Sequence, residues 1–299
     1  MLQRILVPLD GSPLAERALH LATALAQASG GELILLRAPE LEGMLVPSAE
    51  AIGGYGLWWP DQALDLSEQE TVDYLQQMAG RLSPQVPGLR TLVASGDPAS
   101  AIVAGAARED VQLITMSTHG HSGLSRWVLG SVTEKVLRSA PCPVAVCRGE
   151  CPIRRILVTV DGSALSESAI QPALGLARLL GAKVTMLHAA GITRPEIEGL
   201  EGLRSPTGVA PEGRLAQSRQ YLDSLAGQYQ DADVPIDSVL TDLPAAEHII
   251  DYAVCHEIDM IAMATHGRSG ILRWVYGSVT EKVLRAASCS LLIVPATAG

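Results

Sequence analysis

Phenylalanine is absent from the 299 residues, and all aromatics together make up only 3% of them. Any core must therefore be built from Leu, Ile, Val and Ala, the composition of buried parallel strands under helices. Basic charge is also short: 22 Lys and Arg against 32 Asp and Glu leave a net charge of −10. That balance argues against a nucleic-acid partner, which favours a basic face, and it obliges any bound phosphate to be held by local donors. No apolar run approaches the roughly 18 residues of a membrane helix. Met1 to Val7 leads straight into a strand-like segment without the layout of a signal peptide, so a cytoplasmic location and no membrane contact are expected. The five cysteines (Cys142, Cys147, Cys151, Cys255, Cys289) form no C-x-x-C pair. An odd count without framework spacing fits reduced thiols and offers no recognisable metal site.

What is present is a repeat. Arg4-Ile5-Leu6-Val7-Pro8-Leu9-Asp10-Gly11-Ser12 returns as Arg155-Ile156-Leu157-Val158-Thr159-Val160-Asp161-Gly162-Ser163 at an offset of 151. Thr118 to Arg138 returns as Thr265 to Arg285 at an offset of 147, with 17 of 21 positions identical. Such self-similarity marks a duplicated unit, and it divides the chain into domains 1–150 and 151–299 with a junction near Arg148 to Pro152.

Each half alternates β-branched runs with helical stretches, the signature of βαβ units on a parallel sheet. Strands are expected near 3–9, 32–37, 90–95, 111–117 and 143–147, with helices near 13–29, 67–83, 98–108 and 130–139. The second half repeats this with strands near 154–160, 183–188, 236–240, 258–264 and 290–294. Right-handed crossovers then give two tandem doubly wound five-stranded α/β domains of Rossmann-like type. Residues 39–66 show no periodicity and read as a long loop. The last strands, Pro143 to Cys147 and Ser290 to Val294, are apolar on both faces and would be edges, so they are expected to pair with each other.

The segment after the fourth strand carries the chemistry. It reads Ser117-Thr118-His119-Gly120-His121-Ser122-Gly123, followed by Gly130-Ser131-Val132-Thr133 at a helix start. Its twin reads Ala264-Thr265-His266-Gly267-Arg268-Ser269-Gly270, followed by Gly277-Ser278-Val279-Thr280. Small residues let a backbone approach an anion, and a helix start offers free N–H groups, a hydroxyl and a positive dipole end. The Walker pattern G-x-x-x-x-G-K-[ST] is missing, so this phosphate cradle is of another type. Asp10 and Asp161 end the first strands. In an open parallel sheet ligands lie beyond the carboxyl ends of strands at the switch point, where an acid suits a ribose or base. The same Asp-Gly-Ser can also simply cap the following helix, and the two roles are compatible.

On these residues the chain resembles the ATP-binding universal stress proteins, whose G-x-x-G-x(9)-G-[ST] motif and opening Ile-Leu-Val-x-x-Asp-Gly-Ser are matched twice. The resemblance implies an adenine-nucleotide-alpha-hydrolase-like fold that binds ATP, with Mg possible alongside. It implies that Asp10 and Asp161 contact adenosine and that Pro8, Ala38 and Ala189 line the base. Ser117, His119, Gly120, Gly130 and Ser131, with Ala264, His266, Gly267, Gly277 and Ser278, would hold ribose and phosphates, together with the helix starts at Val132-Thr133 and Val279-Thr280. It also implies a homodimer or an intramolecular pseudo-dimer, with protein partners unnamed. The first motif glycine is replaced by Ser117 and Ala264, which is tolerable only at negative φ. Because Pro8 becomes Thr159 and Ser117 becomes Ala264, the first half is expected to bind more tightly, by about one hydrogen bond.

Other readings are weaker. Gly120-His121-Ser122-Gly123 is one residue short of a nucleophile elbow, and its twin replaces the histidine with Arg268. His119 and His266 could reach a phosphate or bond within their loops. Arg126 and Arg273 could reach a triphosphate, but stand beside Trp127 and Trp274, which suit surface packing. Glu134-Lys135 and Glu281-Lys282 read as a solvated helix face. No residue pair is placed as a general base for water, so a regulatory binding module with slow or absent hydrolysis is expected. A slow ATPase or nucleotidyl-transfer enzyme, and a nucleotide-free partner-binding protein, are the alternatives.

Overall fold

The computed structural model describes residues 2–38, 44–47, 55–58, 61–118, 129–148, 152–190, 211–230, 233–265 and 276–296. In the first half β1 (Arg4–Pro8) is followed by the short α1 (Pro13–Glu16) and α2 (Ala18–Ser29), then β2 (Glu32–Arg37). After β3 (Met44–Pro47) and β4 (Tyr55–Trp58) come α3 (Asp61–Leu82), β5 (Leu89–Val93), α4 (Pro98–Arg108), β6 (Leu113–Ser117), α5 (Ser131–Ser139) and β7 (Val144–Cys147). The second half runs β8 (Arg155–Val160), α6 (Ala164–Glu167), α7 (Ile170–Leu180), β9 (Lys183–Ala189), α8 (Pro211–Gln228), β10 (Ile236–Thr241), α9 (Ala245–Cys255), β11 (Met260–Ala264), α10 (Ser278–Ala286) and β12 (Ser290–Val294).

Within each half the strands are parallel, in the order β5-β2-β1-β6-β7 and β10-β9-β8-β11-β12. The winding reverses between β1 and β6 and between β8 and β11, which makes those gaps the switch points. The two five-stranded units fuse into one ten-stranded sheet because β7 pairs antiparallel with β12: Val146 opposes Leu291, Ala145 opposes Leu292 and Val144 opposes Ile293. This is the expected pairing of the last strands. Both are wholly buried, so neither apolar edge meets water.

Equivalent helices fall on the same face of the sheet. One core joins α2 and α3 to α7 and α8, with Leu21, Leu25, Ile170, Leu174 and Leu222 at most 1% exposed. The other joins α4 and α5 to α9 and α10 through residues such as Ile102, Val136, Ile249 and Val283. A two-fold axis normal to the sheet produces this distribution. Among the described residues no helix is long and apolar enough to cross a membrane.

Two expectations need correction. Residues 39–66 are not all loop: β3 and β4 form an antiparallel hairpin with Met44 opposite Trp58 and Pro47 opposite Tyr55, and α3 begins at Asp61. Four-residue strands are too short to display a period of two, so nothing in the pattern betrayed them. The stretch 13–29 is not one helix either. It breaks at Arg17, where Arg17 N–H donates to Leu14 and His20 N–H donates to Arg17 through tight three-residue turns, and the second half repeats the break between α6 and α7.

Candidate functional site

Each first strand leads into an Asp-Gly-Ser turn built by its own side chains. Asp10 Oδ1 accepts the Ser12 N–H (2.8 Å), and Ser12 Oγ accepts the Ala15 N–H (3.1 Å) as the N-cap of α1. In the second half Asp161 Oδ1 accepts the Ser163 N–H (3.0 Å) and hydroxyl (2.6 Å), and Ser163 Oγ caps α6 through the Ser166 N–H (3.1 Å). The intervening Gly11 and Gly162 have φ of +89° and +83°, a conformation L side chains rarely adopt. The helix-capping role of this motif is therefore realised, and it leaves both half-buried carboxylates at the carboxyl ends of β1 and β8.

The fourth strands lead to the starts of α5 and α10, and the chain ties each helix back to its strand. Gly130 N–H donates to the Thr118 carbonyl (2.8 Å) and Thr133 Oγ1 to the Ser117 carbonyl (3.1 Å). Gly277 N–H donates to the Thr265 carbonyl (3.1 Å) and Thr280 Oγ1 to the Ala264 carbonyl (3.1 Å). Gly130 and Gly277 are N-caps without a side chain, so the first-turn N–H groups lack the usual capping acceptor and keep the positive end of the helix available. The threonine hydroxyls and the glycine N–H groups hold the cradle together rather than standing free.

In the second half these elements converge on a cleft of about 290 Å³. Its walls include Asp161 and Ala189, Ala264 at the end of β11, and Gly277, Ser278, Val279 and Thr280 at the start of α10. Every site residue expected in this half that lies within the described residues is on that wall. Pro8, Asp10, Ala38, Ser117, Gly130, Ser131, Val132 and Thr133 occupy the corresponding places in the first half, around the β1–β6 switch point. His119, Gly120, His266 and Gly267 lie outside the described residues. Ser117 and Ala264 are not among the residues with positive φ (the non-glycine ones described are Asp110, Asp233 and Glu257), so neither replacement of glycine strains the backbone.

Seven lining residues were not expected as site residues: Thr159, Val160, Ser166, Leu187, Ala245, Ile249 and Met263. The signal was present in the alternation of strands, since Thr159 and Leu187 stand two residues before Asp161 and Ala189 on the same face, and in the i, i+4 spacing of Ala245 and Ile249 on α9. These residues add two hydroxyls to the second cleft where the first half has Pro8 and Ala15. The expected affinity ranking, drawn from the replacements of Pro8 by Thr159 and of Ser117 by Ala264, counted neither of these hydroxyls as a donor in the second cleft.

Behind each turn lies an aromatic cluster. The Arg37 guanidinium stands 4.7 Å from the Tyr74 ring centre, and Tyr74 donates to Glu16 (3.3 Å). In the twin, the buried His188 ring meets Tyr221 edge-on at 5.3 Å, its Nδ1 is 2.9 Å from the Val160 carbonyl, and Tyr221 donates to Glu167 (2.8 Å). Burial first, and then the adjacent glutamate, push both phenols above their usual range. On the solvated side Lys135 pairs with Asp97 (3.0 Å) and Lys282 with Glu247 (3.1 Å), linking α4 to α5 and α9 to α10. The two clefts are also linked to each other. Tyr276, immediately before Gly277, donates to the Glu134 carbonyl of α5 (3.1 Å) and lies 5.8 Å from the Arg138 guanidinium.

The profile of the universal stress protein family matches residues 1–148 and again 152–295. A universal stress protein of Thermus aquaticus is 34% identical over 148 residues, 50% of this chain and 100% of that one. One from Mycobacterium tuberculosis is 29% identical over 193 residues, so the match spans 62% of this chain and 62% of that relative's length. Another from the same species aligns at 25% identity over 97% of this chain and 95% of its own. The crystal structure of a universal stress protein from Archaeoglobus fulgidus shares the fold over 99% of this chain and 98% of its own, with a TM-score of 0.70 at 18% identity. With a match in each half and the same architecture along its length, the chain belongs to the universal stress protein family and carries the family's domain twice.

Proposed function

We propose that the chain binds ATP at the switch-point cleft of each half and works as a nucleotide-dependent regulatory module of the cytosol, with hydrolysis slow or absent. The observation that carries this reading is the second cleft itself: a carboxylate, an apolar recess and an uncapped helix start open onto one cavity. Leu187, Ala189, Ile249 and Met263 suit the base, Asp161 the ribose hydroxyls, and the first turn of α10 the phosphates. In the first half Asp10, Ala38 and the start of α5 would serve the same parts. ATP with Mg²⁺ suits a chain of net charge −10, because the metal offsets phosphate charge that the overall field repels.

Slow or absent hydrolysis follows from the occupation of the acids. Asp10 and Asp161 each accept a serine N–H two residues on, a role that fixes the carboxylate within its own turn rather than aiming it at a water. The antiparallel β7–β12 pairing would take the place of a dimer between separate chains, and the partner that senses occupancy would be a protein. Mass spectrometry of nucleotide retained by the purified chain, followed by calorimetric titration with ATP and ADP, tests the reading. Retained adenine nucleotide and saturable heat are expected. A chain that binds neither nucleotide up to millimolar concentration would overturn it.

A further inference from the structure

The cluster behind each Asp-Gly-Ser turn keeps an acid and a phenol, but its cations differ between the halves. In the first half two guanidinium groups serve the pair. Arg81 Nη1 stands 3.3 Å from Glu16 Oε2, and Arg37 lies 4.7 Å from the centre of the Tyr74 ring, whose hydroxyl donates to Glu16. The repeat carries Glu16 to Glu167 at the offset of 151 and Tyr74 to Tyr221 at the offset of 147. Tyr221 donates to Glu167 (2.8 Å) as its twin does to Glu16. The same two offsets turn Arg37 into His188 and Arg81 into Gln228. Both arginines are lost while the acid and the phenol stay, and no described residue forms an ion pair with Glu167.

The replacement leaves room. Glu167 and Tyr221 open onto a groove of about 370 Å³ between α6 and α8, lined also by Gln217, Gln220, Gln228 and the buried Leu225. The three glutamines take the places of Glu70, Asp73 and Arg81 on α3, so amides that donate and accept without charge stand where the first half has three charged side chains. The described lining includes no lysine or arginine, and Glu167 is its single acid. The groove shares no residue with the switch-point cleft: Ser166 lines the one and Glu167 the other, on different sides of α6.

We infer that this groove is a binding site for a free guanidinium compound of about arginine's size. The first half supplies the template, since there the chain's own arginines make the contacts that a ligand would make in the second. A planar guanidinium matches a carboxylate with two parallel N–H donors and packs on an aromatic ring, which a compact ammonium does less well. One carboxylate balances one cationic group, and the amides of Gln217 and Gln220 suit the polar groups at the far end of the ligand without adding charge. Leu225 gives the methylene stem an apolar floor. The site stands apart from the nucleotide reading and does not depend on it.

Amide NMR of the full chain tests this by titration with L-arginine, with L-citrulline and L-lysine as controls at the same pH and ionic strength. Citrulline keeps the shape and replaces the guanidinium by a neutral urea, whereas lysine keeps the charge and loses the planar fork. Arginine is expected to shift the Tyr221 and Ser224 amides saturably in the millimolar range. Citrulline should bind about 10-fold more weakly, the worth of one hydrogen bond to a charged group, and lysine should also fall behind arginine. Glu167→Gln, which keeps an acceptor for Tyr221, should weaken arginine by a similar factor. Gln228→Arg, which restores the arrangement of the first half, should abolish binding, and Glu16→Gln should leave it unchanged. Arginine binding no tighter than citrulline or lysine would overturn the inference. So would undiminished binding in Glu167→Gln or Gln228→Arg, or no saturable shift up to tens of millimolar arginine. None of these outcomes bears on nucleotide binding, which is read at the other side of α6.

Discussion

Replacing Arg148 with methionine should loosen the junction between the halves more than any other single side chain on the sheet's seam. Arg148 follows β7, but its guanidinium reaches into the second half and donates to the carbonyls of Leu284 and Ala287 at the end of α10. Its backbone N–H donates to Ser290 Oγ at the start of β12 (3.2 Å). A cation on the last carbonyls of a helix offsets the negative dipole end and satisfies groups that have no helical partner. Two charge-assisted hydrogen bonds amount to about 3–6 kcal/mol gross. Burial opposes this by depressing the guanidinium's basicity, and Nε is buried without a partner. Methionine keeps much of the apolar stem, which leaves a net loss of about 2–3 kcal/mol. The 147-residue offset puts Pro295 at the equivalent place in the second half and Pro143 opposite Ser290, so no symmetry-related contact compensates. Urea unfolding is the assay. At a slope of about 2–3 kcal/mol/M the midpoint should fall by about 0.7–1.5 M. Arg285→Met, which removes only an exposed i, i+4 pair with Glu281, should cost about 0.5 kcal/mol or less. If Arg148→Met falls no further than Arg285→Met, the seam is held by strand pairing alone and the reasoning is wrong.

Gly11→Ala should destabilise the chain by about 1–3 kcal/mol, because φ is +89° and the new methyl would meet the Arg37 guanidinium at 3.3 Å. Gly30→Ala, at φ +66° with open space around it, should cost only about 1 kcal/mol, both variants being read by the same urea unfolding. Tyr276→Phe should lose about 0.5–1.5 kcal/mol with the Glu134 hydrogen bond. A change in ATP affinity at the first cleft in that variant would show that the contact also carries coupling between the sites. Stability should decline as pH rises from about 9 to about 12. Burial raises Cys142 from 9.0 to about 12, Cys289 from 9.0 to about 11 and Tyr276 from 10.0 to about 12. The folded chain therefore holds protons that the unfolded chain releases first, and their contribution is complete below pH 9 and gone above pH 12. Denaturant midpoints that stay level across that range would contradict the burial of these groups.

The duplication made the architecture legible from sequence, because two noisy readings of one βαβ pattern agreed on which runs were strands. Apolar edges at Val144–Val146 and Leu291–Val294 also disclosed the seam. Short elements were opaque for a physical reason: β3, β4 and the break at Arg17 involve too few residues for a period to emerge. At the site, the glycine segments and the two acids pointed to the switch point, but sequence could not apportion their hydrogen bonds. Thr133 and Thr280 looked like ligand donors and prove to tie helix to strand. Thr159 looked like the loss of a proline and proves to place a hydroxyl on the cleft floor, because only the register of β8 against β9 shows which way that position faces.

The central claim is most directly tested by calorimetric titration of the full chain with Mg²⁺-ATP. The account predicts saturable heat with a stoichiometry approaching two per chain, falling toward one when either Gly130 or Gly277 is replaced by tryptophan. Absence of heat from micromolar to millimolar ATP, or binding that survives closure of both cradles together, would contradict it.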